Sequence, residues 1–143
     1  MRIAKLLEEK GAVVFTIGST ATLAEAVQIL RDRRIGALVV SDDGRRIEGI
    51  VSERDIVRAL AEDPVGLLDQ QVASVMSSDV KTCGPHDDTD LLMAAMTKGR
   101  FRHMPVVDAG YLVGIVSIGD IVKARIEELE RDRKELVDYI NAR

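Results

Sequence analysis

The sequence is poor in the residues from which several functional classes are built. Of its 143 residues one is cysteine, Cys83, two are histidine, His86 and His103, and four are aromatic, Phe15, Phe101, Tyr111 and Tyr139. A single cysteine forms no internal disulfide, and with two histidines beside it there is no four-ligand zinc framework. Four aromatics are few for a surface that stacks nucleobases. The formal net charge of −4, from 20 Lys plus Arg against 24 Asp plus Glu, gives no general attraction to a polyanion. Nucleic acid is therefore not an expected partner. No stretch approaches the roughly 18 apolar residues of a membrane span, and Met1 to Gly11 alternates charged and apolar residues where a secretory leader carries an apolar run. These absences predict a cytoplasmic protein without membrane contact. With 46% hydrophobic residues the chain is too apolar for a disordered segment, and its length suits one domain or two small ones tightly joined.

An internal repeat organises the chain. Gly49-Ile50-Val51-Ser52-Glu53-Arg54-Asp55-Ile56-Val57 returns as Gly114-Ile115-Val116-Ser117-Ile118-Gly119-Asp120-Ile121-Val122, seven identities in nine positions at an offset of 65. Upstream, Thr22 matches Thr89 and Val39-Val40 matches Val106-Val107 at an offset of 67, the first hairpin being two residues longer. Thr16 and Gly18 match Thr82 and Gly84, and Ile3 to Leu7 resembles Val72 to Met76. Two copies follow, 3–62 and 72–126, with 127–143 as a C-terminal extension.

Each copy predicts the order β-α-β-β-α. An extended segment, Val13 to Ile17 or Val80 to Cys83, precedes a helix that Thr22 and Glu25 open at capping-box spacing. Leu23, Ala26, Val27 and Leu30 lie on one face of that helix. The branched run Ala37 to Val40, the turn Ser41-Asp42-Asp43-Gly44 and the run Ile47 to Val51 read as a hairpin, repeated by Met104 to Val107 and Tyr111 to Val116. Ser52 and Ser117 cap closing helices, with Ile56, Val57 and Leu60, or Ile121 and Val122, facing inward. A unit of about 60 residues is marginal alone, so the copies are expected to pack together as an α+β fold with pseudo-twofold symmetry and clefts between them. In the tail, Val122, Ile126, Leu129, Arg133, Leu136 and Ile140 keep heptad spacing, which predicts a long helix that packs within a homodimer.

The strand ending Pro105-Val106-Val107-Asp108 and the doubled Gly-Ile-Val-Ser-x-x-Asp-Ile resemble the cystathionine-β-synthase-type, or CBS, domain, which occurs in tandem pairs called Bateman modules. The resemblance implies a regulatory sensor without catalysis, binding an adenosine compound (AMP, ADP, ATP, NAD(H) or S-adenosylmethionine) between the copies and requiring no other cofactor. By the same resemblance the Asp of the motif contacts ribose and the Ser three residues earlier helps hold phosphate. One cleft then uses Ser117 and Asp120 with Thr16, Gly36 and Ala37; the other uses Ser52, Arg54 and Asp55 with Thr82, His103 and Met104. Copy two carries Ile118-Gly119 where copy one has Glu53-Arg54, so the Asp55 cleft has the better claim to a phosphate tail.

The residue chemistry agrees with that expectation. Ser52 and Ser117 set a hydroxyl and free N–H groups at a helix N-terminus, which favours anions, and an Asp one turn on can accept from a vicinal diol. Ser-x-x-Asp is also close to a plain capping box, although such boxes prefer Glu or Gln, and the shorter Asp in both copies favours an outward role. Arg31, Arg33, Arg34, Arg100, Arg102 and His103 precede the middle strands; solvated helix ends are the default reading, with Arg102 and His103 the better phosphate candidates. Cys83 reads as a small buried residue. Against the sensor stand a ligand-independent dimerisation subunit docking an unidentified protein, and a nucleotide hydrolase, which lacks a lysine-bearing glycine-rich loop, a metal cluster and a nucleophile with a positioned base.

Overall fold

The computed structural model describes residues 1–142. The helix α1 (Ile3–Lys10) leads into β1 (Thr16–Ile17), α2 (Leu23–Arg33), β2 (Ala37–Val40), β3 (Gly49–Ser52) and α3 (Glu53–Glu62). Two single 3-10 turns, Leu67–Asp69 and Val72–Ser74, then connect to α4 (Thr89–Gly99), β4 (His103–Asp108), β5 (Tyr111–Ser117) and α5 (Ile118–Asn141). Both predicted hairpins form: β2 pairs antiparallel with β3, and β4 with β5. β1 adds to β2 in parallel, completing a three-stranded sheet. The matching strand expected over Val80 to Cys83 is reduced to one parallel bridge between Cys83 and Val106, beside the two-stranded sheet. Since Thr16 pairs with Val39 and Cys83 with Val106, the residue equivalent to Thr16 is the buried Cys83 and not Thr82, which is exposed.

Two hydrophobic cores form, and each borrows from beyond its own repeat. Ile17, Leu23, Ala26, Leu30, Leu38, Val40 and Val51 build the first, completed by Leu67 and Val72 from the connecting segment. Leu92, Met96, Met104, Val106, Val116, Ile121 and Ala124 build the second, completed by Ile3, Leu6 and Leu7 of α1. Main-chain bonds fix the exchange. Ile3 N–H donates to Asp87 O at 2.9 Å and Ala4 N–H to Pro85 O at 2.8 Å, while Val72 N–H donates to Ala21 O at 2.8 Å and Leu23 N–H to Gln70 O at 2.9 Å. Gly49 and Gly114 admit these segments: a Cβ on Gly114 would lie 2.8 Å from Leu7, and one on Gly49 2.6 Å from Met76 and 2.9 Å from Ser77 O.

Apolar positions on three helices depart from the periodicity reading. Val27 is exposed on α2, and α3 buries none of its residues, leaving Val57 at 65% and Leu60 at 45% exposure. On α5 only Ile121 and Ala124 are buried; Val122, Ile126, Leu129, Leu136 and Ile140 face solvent, so this helix extends from the second core without packing back on it. An amphipathic stripe records that a face is apolar, not that the same chain covers it. No helix among the described residues is long and apolar enough to cross a membrane.

Candidate functional site

The two repeated motifs adopt one local geometry. Ser52 accepts from Asp55 N–H at 3.2 Å while Asp55 Oδ2 accepts from Ser52 N–H at 2.9 Å; in the second copy Ser117 accepts from Asp120 N–H at 3.1 Å and Asp120 Oδ2 from Ser117 N–H at 2.9 Å. Both are complete capping boxes, so the shorter Asp closes the box as Glu does, contrary to the preference the sequence reading relied on. In each copy the helix start is also tied to the residue before the middle strand: Glu53 N–H donates to Gly36 O at 3.0 Å and Ile118 N–H to Arg102 O at 2.9 Å.

The surroundings of the two motifs differ. A cavity of about 440 Å³ opens beside Ser52 and Asp55, within the usual range of about 300–1,000 Å³ for small-molecule sites. Gly36, Glu53, Arg54 and Arg58 line it from the first repeat; Ser77, Asp79, Val80 and Lys81 from the connecting segment; and Gly99 to His103 from the second repeat. Arg54 spans the gap by donating from Nη1 to Arg100 O at 2.7 Å. Five cationic side chains, Arg54, Arg58, Lys81, Arg100 and Arg102, face three carboxylates, Glu53, Asp55 and Asp79, so the cleft is locally basic on an acidic chain.

At the second motif Asp120 is already paired. Lys10 Nζ, from the last residue of α1, lies 2.9 Å from Asp120 Oδ2 and donates to Ile115 O at 2.6 Å. Burial raises the affinity of Asp120 for its proton, but the Ser117 N–H and the Lys10 ammonium outweigh it and hold the carboxyl below its usual range. His103 stands between the two motifs. Its imidazole packs so closely on Gly36 that a Cβ there would lie 3.1 Å away, and burial pushes its pKa below the ordinary value against the pull of Asp120 and Glu53.

Of the residues named from sequence, Ser52, Arg54, Asp55, His103 and Gly36 meet in the one cleft, Gly36 having been expected in the other. Met104 and Ala37 point into buried packing, Thr16 sits in β1 paired to Val39, and exposed Thr82 follows the lining residue Lys81. Ser117 and Asp120 sit together under Lys10. Arg33 stacks on Phe15 with its guanidinium carbon 4.7 Å from the ring centroid, and lines no part of the cleft. Burial raises the Cys83 thiol to about 12, which suits an inert core residue. Arg58, Lys81 and Asp79 were not anticipated. Arg58 follows Arg54 by one helical turn, a spacing that places both on one face and could have revealed it; Lys81 and Asp79 lie in irregular chain with no such period.

A family model for the CBS domain matches residues 12–62 and 72–127. The chain is 37% identical over 117 residues to an uncharacterised protein of Acidianus ambivalens and 32% over 123 residues to a mitochondrial CBS-domain protein of Arabidopsis thaliana, spanning 68% and 60% of their lengths. A CBS-domain-containing protein of Agrobacterium tumefaciens is similar at 45% identity and a TM-score of 0.84, covering 87% of this chain and 99% of that one. A CBS-domain protein of Pyrobaculum aerophilum, complexed with AMP, is similar at 32% identity and 0.73, covering 84% and 89%. The CBS-domain pair of protein MJ0100, in complex with 5′-methylthioadenosine and S-adenosylmethionine, is similar at 25% identity and 0.78, covering 90% and 98%. With both repeats matched and the fold shared, this chain belongs to the CBS-domain family.

Proposed function

We propose that the chain is a non-catalytic regulatory module whose Asp55 cleft takes a phosphate-bearing adenosine nucleotide. The observation that carries this reading is the basic cavity at the N-terminus of α3. Asp55 Oδ2 is used by the capping box, which leaves Oδ1 for a ribose diol, while the N-terminus of α3, Arg54, Arg58, Lys81, Arg100 and Arg102 attract phosphate. Ile50, Val80 and Phe101 supply apolar wall for a purine. The adenosine class is supported by the ligands of the Pyrobaculum and MJ0100 structures. Within that class the excess of cations favours AMP, ADP or ATP over S-adenosylmethionine, whose sulfonium is positive. Because the walls come from both repeats, a ligand that fits one relative arrangement better shifts the population toward it, which is the thermodynamic requirement for signalling.

The exposed apolar faces of α3 and α5 are read as covered by a second copy, so that ligand-driven shifts reach a dimer and through it a regulated protein. Native mass spectrometry of gently purified protein and thermal shifts with AMP, ATP, NADH and S-adenosylmethionine test the reading. Co-purified or stabilising nucleotide, with S-adenosylmethionine weakest, is expected. A ligand-free spectrum and no shift across the panel would overturn it and favour the ligand-independent subunit. That alternative rests on the same apolar faces, and it predicts that deleting residues 128–143 destroys function while Asp55→Ala spares it.

A further inference from the structure

The two motifs share their reciprocal capping bonds and differ in what meets the motif carboxylate. Lys10 reaches Asp120 from a built position: Ile3, Leu6 and Leu7 anchor α1 in the second core, and Leu7 lies against Gly114. The connecting segment repeats this arrangement in the first copy, with Met76 lying against Gly49. Lys10 is three residues beyond Leu7, and Asp79 is three beyond Met76. The same station along the two exchanged segments therefore carries an ammonium beside Asp120 and a carboxylate in the lining of the Asp55 cleft. Among the described residues no lysine or arginine lies within ion-pair distance of Asp55, whereas Asp120 has Lys10 at 2.9 Å.

We propose that Lys10 makes the two repeat sites unequal: its ammonium neutralises Asp120 and occupies the approach to it, so the chain takes one nucleotide, at Asp55, and not two. A ribose hydroxyl donates to a carboxylate best when the charge is unshared and the approach is open. Lys10 removes both conditions at Asp120, its ammonium being itself held by the Ile115 carbonyl at 2.6 Å and its side chain 25% exposed. Copy two also has Gly119 where Arg54 stands, so a phosphate finds no equivalent guanidinium there to offset the displacement of Lys10. Lys10 is thus a specificity-determining residue that acts by filling a site, and it belongs to the segment least expected from its place in the chain to reach it.

The inference rests on the nucleotide reading above, and its failure is separable from that reading's failure. Calorimetric titration of the full chain with AMP and ATP, with native mass spectrometry for occupancy, measures sites per chain in wild type, Lys10→Met and Lys10→Gln. One site is expected in wild type, lost in Asp55→Ala. Two are expected in either Lys10 variant, the second lost again in Lys10→Met combined with Asp120→Ala. Two sites in wild type, or a single site in folded Lys10 variants, overturns the inference and leaves the nucleotide reading standing. No binding to any of these proteins overturns both. If neither Lys10 variant folds, wild-type stoichiometry decides, with two sites contradicting and one site that depends on Asp55 supporting it.

Discussion

Single residues in this fold carry burdens that the repeat makes comparable. Gly49 and Gly114 occupy equivalent motif positions, yet a methyl group at Gly49 meets the main-chain oxygen of Ser77 at 2.9 Å, and at Gly114 it meets only the movable end of Leu7. The Ile50 to Ser77 pairing, closed by bonds of 3.0 and 2.9 Å, cannot retreat without breaking. Gly49→Ala is therefore expected to cost about 1–3 kcal/mol and Gly114→Ala less, read from urea midpoints. His103 gives a pH signature. Its folded pKa is depressed, first by burial and further by Arg102 and Lys10, so between the folded and unfolded values the unfolded chain binds the extra proton. Its contribution to stability is complete above about 6.5 and is lost as the pH falls from there toward the lower folded value. Denaturation of wild type and His103→Gln at pH 7.5 and 5.5 should show the variant losing less on acidification; equal losses would remove His103 from the account.

At the scale of elements, legibility followed the range of the contacts. The hairpins and the helix caps could be read because they are local: Ser52 with Asp55 and Ala37 with Ser52 lie within one repeat. The exchange of α1 could not be read, since Lys10 meets Ile115 and Asp120 across most of the chain and no periodicity encodes such a meeting. The inward faces assigned to α3 and to the start of α5 held at Ile56 and Ile121, which pack on the first and second cores, and failed at their other positions for a different reason. Val57, Leu60 and Val122 have the right spacing, but their apolar surface lies outside both cores. The exchange has a measurable cost if disturbed. Leu6 is 2% exposed in the second core, so Leu6→Ala should destabilise by about 2–5 kcal/mol although it lies more than sixty residues before the second repeat in sequence. The loss should fall on the second core, with amide exchange rising in α4 and β5 more than in α2 and β2. A uniform rise, or one confined to the first repeat, would contradict the exchanged packing.

For the whole molecule, the fold brings to one cleft groups that the sequence scatters over nearly half its length, from Gly36 to His103. The duplicated motif marked Ser52, Asp55 and Arg54 in advance, and the family resemblance placed His103 beside them. Lys81 and Asp79 stayed hidden because irregular chain positions them through its packing on Gly49 and Ile50, which no spacing rule describes. The unequal surroundings of the repeats also follow from whole-molecule packing, because α1 and the connecting segment bring opposite charges to equivalent stations. The most direct test of the central claim is the affinity for AMP of wild type against Asp55→Asn, which keeps an acceptor for the Ser52 cap but removes the charge and turns the ribose-facing oxygen into an amide donor. The account predicts a loss of tenfold or more, about 1.4 kcal/mol, with the melting temperature little changed. Equal affinities in the two proteins would contradict it.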